Sequence, residues 1–215
     1  MGEARGVTAE GAAATVLEID TPHGPARVHV HPAREPAGAL VLGHGAAGGV
    51  STPDLVATTD VALAERFSVA LVEQPYVVAG RRSPAPAPRL DEAWTAVVGH
   101  LRDEQLRDLP LVAGGRSAGA RVACRTAADT GAVAVLCLAF PLHPPGRPEK
   151  TRQSELDGVR VPTLVVQGTS DPFGMPRGGA NREILEVPGN HSLKADLDAV
   201  AAAVRDWLPR VPESR

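Results

Sequence analysis

A serine stands between two glycines in residues 115–119, Gly-Arg-Ser-Ala-Gly, after an apolar run and before a segment with a helical pattern. A G-x-S-x-G between a strand and a helix is typical of a nucleophile elbow, a sharp turn that exposes the serine hydroxyl. A serine hydroxyl attacks well only when a base removes its proton and an anion orients that base. Ser117 therefore directs attention to a histidine and an acid further along the chain.

Both groups follow predicted strands downstream of Ser117. Asp171 comes after the apolar run 163–166, and His191 comes after the next predicted strand, 183–187. Parallel sheets place their chemistry at the carboxyl ends of strands, and the order serine, acid, histidine is that of the α/β hydrolases. We predict a catalytic triad with Ser117 as nucleophile, His191 as base and Asp171 as the orienting acid.

Each of these residues also has a structural interpretation. Ser117 could cap the following helix, and Asp171 before a proline could begin a turn. His191 could begin the last helix, where Asn190 is an equally good cap. The agreement of order, strand context and loops favours the triad over coincidence.

The elements that must position these residues are predicted by periodicity. Polar and apolar residues alternate at 15–20 and 27–31, which indicates a hairpin with one solvent-exposed face. Unbroken apolar runs indicate strands covered on both faces at 39–42, 69–72, 109–113, 133–139 and 163–166. Helical patterns lie at 53–66, 90–106, 118–130 and 191–208. We expect an α/β fold with a mostly parallel sheet, an N-terminal antiparallel hairpin and helices on both faces.

These motifs resemble those of α/β-hydrolase-fold proteins, close to small dienelactone-hydrolase-like members, over nearly the whole chain. His44-Gly45-Ala46, after the strand 39–42, resembles the His-Gly-x oxyanion loop of that family. The resemblance implies that the amides of Ala46 and Ala118 hold the oxyanion and that His44 holds the loop. Ser117 and Asp171 are 54 positions apart, which leaves no room for a sizeable cap domain, so we expect an open site.

Two further segments resemble a narrower branch that includes a subunit of a chromatin acetyltransferase complex. They are Gly80-Arg81-Arg82 and the Phe-Pro-Leu-His-Pro-Pro-Gly stretch at 140–146. A catalytic hydrolase and a non-catalytic or weakly catalytic scaffold or regulatory protein are both compatible with this branch. The intact triad favours a serine hydrolase that cleaves a carboxylic ester or a thioester.

Three residues are candidates for contact with the substrate: His44, Arg116 and His143. Arg116 directly precedes the nucleophile and, with the Arg81-Arg82 pair, favours an anionic substrate, although solvated arginines are the default expectation. His29 and His31 share one face of a strand, but no third ligand accompanies them, so we predict no metal.

A competing motif satisfies the G-x-G-x-x-G pattern at 43–48, with Glu73 where a ribose-binding acid would stand. In a dinucleotide site the helix opens within the glycines, whereas here Ser51 to Pro53 put its start later. The preceding hairpin also argues against it, and we expect no cofactor.

The bulk composition excludes other classes. A length of 215 residues with 43% hydrophobic content fits one domain over 1–215, with 1–13 as a flexible segment. A net charge of −3 gives no basic field for nucleic acid. The sequence lacks an 18-residue apolar span and a signal peptide, so we expect a cytoplasmic protein without membrane contact that acts on a small acyl substrate. Cys124 and Cys137 fit buried thiols.

Overall fold

One eight-stranded sheet organises the part of the chain that the structure describes, residues 14–47 and 49–211 of a computed structural model. The expected flexible segment 1–13 lies outside this part. The strands are β1 (Thr15–Ile19), β2 (Ala26–His31), β3 (Gly38–Gly43), β4 (Phe67–Glu73), β5 (Leu111–Arg116), β6 (Ala134–Leu138), β7 (Thr163–Gly168) and β8 (Arg182–Val187).

The strand order is β1-β2-β4-β3-β5-β6-β7-β8. The β1–β2 hairpin and the β2–β4 pair are antiparallel, and every pair from β4 to β8 is parallel. The strands from β3 to β7 are almost entirely buried, as their continuous apolar runs predict. The mostly parallel sheet with an N-terminal antiparallel hairpin is therefore confirmed.

Helices cover both faces of the sheet. Within the described residues they are α1 (Pro53–Ala64), α2 (Pro75–Val78), α3 (Ala87–Asp103), α4 (Ala118–Thr126), α5 (Gln153–Asp157) and α6 (Leu197–Trp207). The core on one face includes Leu55 of α1 and Trp207 of α6, and the core on the other includes Trp94 of α3 and Val122 of α4. The connection from β6 to β7 holds one helix of five residues, so no cap domain covers the sheet there.

Several element boundaries differ from the sequence prediction, including three in the elements that flank Ser117 and His191. Helix α6 begins at Leu197, because Asp196 caps it by accepting a hydrogen bond from the Ala199 amide at 2.9 Å; His191 lies in the preceding loop. Helix α4 ends at Thr126. Strand β5 continues through Gly114 and Gly115 to Arg116, beyond the apolar run 109–113 that predicted it. A Cβ at Gly114 would lie 2.6 Å from the Leu136 carbonyl oxygen, so close strand packing requires glycine there.

Cys124 and Cys137 are free and buried, as expected, with their sulfur atoms 3.5 Å apart. The hydrogen bond between them and burial raise the pKa of the Cys137 thiol. No described helix is long and apolar enough to cross a membrane.

Candidate active site

Ser117 occupies a strained backbone conformation at the junction of β5 and α4. Its φ of 52° and ψ of −107° fall outside the regions that residues with a Cβ usually adopt. The Ser117 amide donates to the Leu138 carbonyl of the neighbouring strand at 2.9 Å, which fixes the turn. This is the geometry expected of a nucleophile elbow.

The elbow closes against strand β3 through two glycines. A Cβ built on Gly119 would lie 2.3 Å from the Gly43 carbonyl oxygen, so any larger residue would push α4 away from the sheet. The Gly119 amide donates to the His44 carbonyl at 3.0 Å. The serine turn and the loop after β3 are thereby held in contact.

The imidazole of His191 bridges the serine and the acid. Its Nε2 atom lies 2.9 Å from Ser117 Oγ, and its Nδ1 atom lies 2.8 Å from Asp171 Oδ2. A neutral imidazole with its proton on Nδ1 donates to the carboxylate and accepts the serine proton at Nε2. The structure thus brings together the three residues that the sequence order grouped.

Two neighbours hold the Asp171 carboxylate. Gln167 Nε2 donates to Oδ2 at 2.8 Å, and the Phe173 amide donates to Oδ1 at 2.8 Å. The Phe173 ring also packs on the His191 ring with centroids 4.2 Å apart. Sequence reasoning missed both residues, although a polar Gln167 inside an apolar strand was a visible signal.

His44 is buried, and both of its ring nitrogens form hydrogen bonds with backbone groups. The Gln74 amide donates to Nε2 at 3.1 Å, so the proton lies on Nδ1, which donates to the Gly45 carbonyl at 2.7 Å. Burial lowers the pKa of His44, although the Gly45 carbonyl and Glu73 oppose that shift. These contacts favour a role in holding the loop over direct contact with substrate.

Tyr76, on the short helix α2 that sequence reasoning missed, supports the same loop. Its hydroxyl donates to the Ala46 carbonyl at 3.1 Å, and its ring packs edge-on against His44. Ala118 is the first residue of α4, where free helix amides carry partial positive charge. Ala46 and Ala118 both line the cavity that contains Ser117.

The guanidinium of Arg116 faces the protein. Its Nε atom lies 2.9 Å from Oδ2 of the buried Asp54, as an ion pair without an aligned hydrogen bond, and Nη2 donates to the His191 carbonyl at 3.0 Å. These contacts favour a positioning role over the expected contact with an anionic substrate. Sequence reasoning missed Asp54 because nothing local links it to Arg116.

His143 packs behind the acid loop. Its amide donates to the Phe173 carbonyl at 3.0 Å, and its Nδ1 atom lies 2.9 Å from the Pro144 carbonyl oxygen. Among the described residues, those lining the Ser117 cavity do not include His143. This placement favours support of the Asp171 loop.

The Ser117 cavity has a volume of about 310 Å³ and is open to solvent. Its walls include Pro141, Phe173 and three arginines that the sequence analysis did not single out: Arg121, Arg125 and Arg152. Arg121 and Arg125 follow Ser117 at intervals of four residues, which was a readable helical signal.

The competing glycine motif with Glu73 and the His29–His31 pair were the other candidate sites in the sequence. Helix α1 begins at Pro53, beyond the glycine motif, and Glu73 lies 3.5 Å from the His29 ring and 3.4 Å from Arg27. Across residues 14–47 and 49–211, no three His, Cys, Asp or Glu side chains form a group that could hold a metal ion.

Comparison with solved structures identifies the fold. The chain is similar to a lidless α/β serine hydrolase from Xanthomonas campestris, with 18% identity and a TM-score of 0.74 over 95% of this chain and 98% of that one. It is similar to a dienelactone hydrolase from Anabaena variabilis, with 15% identity and a TM-score of 0.74 over 93% and 98%. Est1E of Butyrivibrio proteoclasticus with bound ferulic acid matches at 16% identity and a TM-score of 0.74 over 91% and 98%.

The chain has the α/β-hydrolase fold without a cap, like the lidless Xanthomonas hydrolase, as the sequence motifs and the spacing of Ser117 and Asp171 predicted. A sequence model described as an alpha/beta hydrolase domain matches residues 36–201, which is most of the chain. That match includes the serine elbow, the acid loop and the histidine loop. The chain therefore belongs to the alpha/beta hydrolase domain family.

Proposed function

We propose that this protein is a serine hydrolase that cleaves a carboxylic ester or a thioester through an acyl-enzyme on Ser117. The observation that carries the proposal is the continuous contact from Ser117 Oγ through the His191 ring to the Asp171 carboxylate, at 2.9 and 2.8 Å. Membership of a hydrolase family supports the same conclusion.

In the first half of the reaction, Ser117 Oγ bonds to the acyl carbon while its proton passes to His191 Nε2. The carbonyl oxygen becomes an oxyanion, which the amides of Ala46 and Ala118 stabilise. Removing one such donor typically costs about 3 kcal/mol of transition-state stabilisation. As the tetrahedral intermediate collapses, the bond to the leaving oxygen or sulfur breaks, and that atom takes the proton from His191.

In the second half, water attacks the acyl-enzyme and gives its proton to His191. The Ser117 bond to the acyl carbon then breaks, and the proton returns to Oγ as the carboxylic acid leaves. Asp171 stays ionised and keeps the imidazole in the required tautomer. The Gln167 and Phe173 hydrogen bonds hold its carboxylate in that orientation.

Labelling with a fluorophosphonate probe, followed by peptide mass spectrometry, tests the nucleophile. We expect an adduct on Ser117 that is lost in Ser117→Ala and in His191→Ala and retained in Ser154→Ala, a change of an exposed serine. Hydrolysis of short 4-nitrophenyl esters should follow the same pattern. Folded wild-type protein that neither takes the label nor cleaves any ester or thioester would contradict the proposal and favour a non-catalytic scaffold.

A further inference from the structure

Three arginines line the cavity beside Ser117, and two carboxylates pair with two of them. Arg121, Arg125 and Arg152 line it, and Glu155 and Asp91 lie behind them. Arg121 and Arg125 project from α4, the helix that begins immediately after Ser117. Since all three guanidinium groups are charged at neutral pH, the group carries one more positive charge than negative.

Two of the arginines have carboxylate partners. Arg121 forms a two-pronged pair with Glu155, with contacts of 2.8 and 2.6 Å. Arg125 forms the same kind of pair with Asp91, again at 2.8 and 2.6 Å, and also approaches Glu155 at 3.4 Å. Such pairs fix the orientation of the guanidinium planes, and they occupy the carboxylates of Glu155 and Asp91.

Arg152 differs from both. Its Nη1 atom donates to the Pro141 carbonyl at 3.0 Å, and among the described residues no carboxylate lies within 4.0 Å of its guanidinium. The side chain is half-buried. Burial and repulsion from Arg121 lower the pKa of Arg152, although Glu155 opposes the shift. A partly desolvated guanidinium with free donors favours an anion from outside the protein.

From this arrangement, and resting on the proposed function, we propose that the Ser117 cavity recognises a substrate carrying an anionic group such as a carboxylate, with Arg152 as its main partner. The charges of Arg121 and Arg125 are offset by Glu155 and Asp91, so the one excess positive charge along this wall is that of Arg152. A cavity of about 310 Å³ accommodates a short acyl chain together with the anion. The anion is carried on either the acyl or the leaving part of the substrate, and esters charged on one part or the other distinguish these cases.

Two pairs of esters provide the test. Mono-4-nitrophenyl glutarate and its methyl-capped ester differ by one carboxylate on the acyl side, whereas 4-acetoxybenzoate and its methyl ester differ by one on the leaving side. For each pair, kcat/KM is measured with wild-type protein, Arg152→Gln and Arg152→Lys. Arg147→Gln, an exposed arginine on the same segment, is the matched control.

For one of the two pairs, we expect Arg152→Gln to lower kcat/KM on the charged ester about 10- to 100-fold, as for loss of a hydrogen bond to a charged group. The capped ester should change by less than about threefold, since it makes no such bond. Arg152→Lys should keep part of the preference for the charged ester over the capped one, and Arg147→Gln should keep all of it. Added salt should reduce this preference.

Equal loss on both members of each pair would mean that Arg152 acts only by holding Pro141, and it would overturn the inference. The inference would also be overturned if the wild-type preference for the charged ester were unchanged in Arg152→Gln. Failure of the proposed function gives a different result, because the capped esters would then not be cleaved and Ser117 would take no fluorophosphonate.

Discussion

The guanidinium of Arg116 and the carboxylate of Asp54 form an ion pair, with Nε and Oδ2 2.9 Å apart and the Asp54 side chain entirely buried. The pair joins the end of β5 to helix α1. Because Arg116 Nη2 also donates to the His191 carbonyl, one side chain connects the serine turn, a helix on one face of the sheet and the histidine loop. Arg116 thus connects the segments that carry Ser117 and His191.

Replacing Arg116 with methionine should leave the Asp54 carboxylate buried without a cation. We expect the free energy of unfolding to fall by about 3–5 kcal/mol, the usual effect of removing one partner of a buried ion pair. Urea denaturation measures the change, and Arg160→Met, at an exposed arginine, serves as control. A loss for Arg116→Met no larger than that of the control would show that the ion pair contributes little.

Two glycine-to-alanine changes in helices should have opposite effects. At Gly119 the new Cβ would meet the Gly43 carbonyl oxygen at 2.3 Å, and we expect loss of several kcal/mol or failure to fold, which thermal unfolding would report. At Gly99, in α3, the Cβ would enter open space, and the variant should gain about 0.5–1 kcal/mol from helix propensity. Similar stability of the two variants would refute the close packing of the elbow.

Tyr76 is the single tyrosine of the chain, so its ionisation can be followed directly by tyrosinate absorbance. Burial raises the pKa of Tyr76 to about 12, and we expect the folded protein to titrate there and the urea-unfolded protein near about 10. Since the folded state favours the neutral phenol, this stabilisation is complete below pH ~10 and is lost as the pH rises towards ~12. Tyr76→Phe should lack that part of the pH dependence, and a folded midpoint near the unfolded one would contradict burial.

Gln167→Met removes the side-chain donor to Asp171 Oδ2. We expect kcat on a neutral ester to fall about tenfold, with little change in KM, because the carboxylate loses a hydrogen bond that orients it. Steady-state kinetics measures this effect. Gln153→Met is a matched control, since it also removes a buried amide that donates to an aspartate, Asp157, at 3.0 Å. Equal kinetic losses in the two variants would point to general destabilisation.

The sheet could be predicted from sequence because its information is local. Apolar runs and alternating polar and apolar residues mark the position of each strand. The predicted strands correspond to β1 to β8 with shifts of a few residues. The start of α6 was wrong because His191 fits a helical pattern. Its contact with Asp171, together with the Asp196 cap, keeps the intervening segment in a loop.

The grouping of Ser117, Asp171 and His191 was predictable because each follows a strand of one parallel sheet. The partners of the arginines were not. Arg116, at the end of β5, pairs with Asp54 of helix α1, and Arg125 pairs with Asp91, 34 residues away in sequence. Such pairs depend on how the helices pack on the sheet and against one another. The hydrophobic periodicity of the sequence carries no information about that packing.

The position of β8 at the edge of the sheet has a consequence for how the protein refolds. His191 is delivered by the loop after β8, the outermost strand, and its contact with Ser117 joins residues 74 positions apart in the chain. Contacts of such long sequence separation form slowly, because a large loop must close first. Ser117 therefore gains its contact with His191 only when β8 has paired with β7, so recovery of Ser117 reactivity would report the pairing of this edge of the sheet.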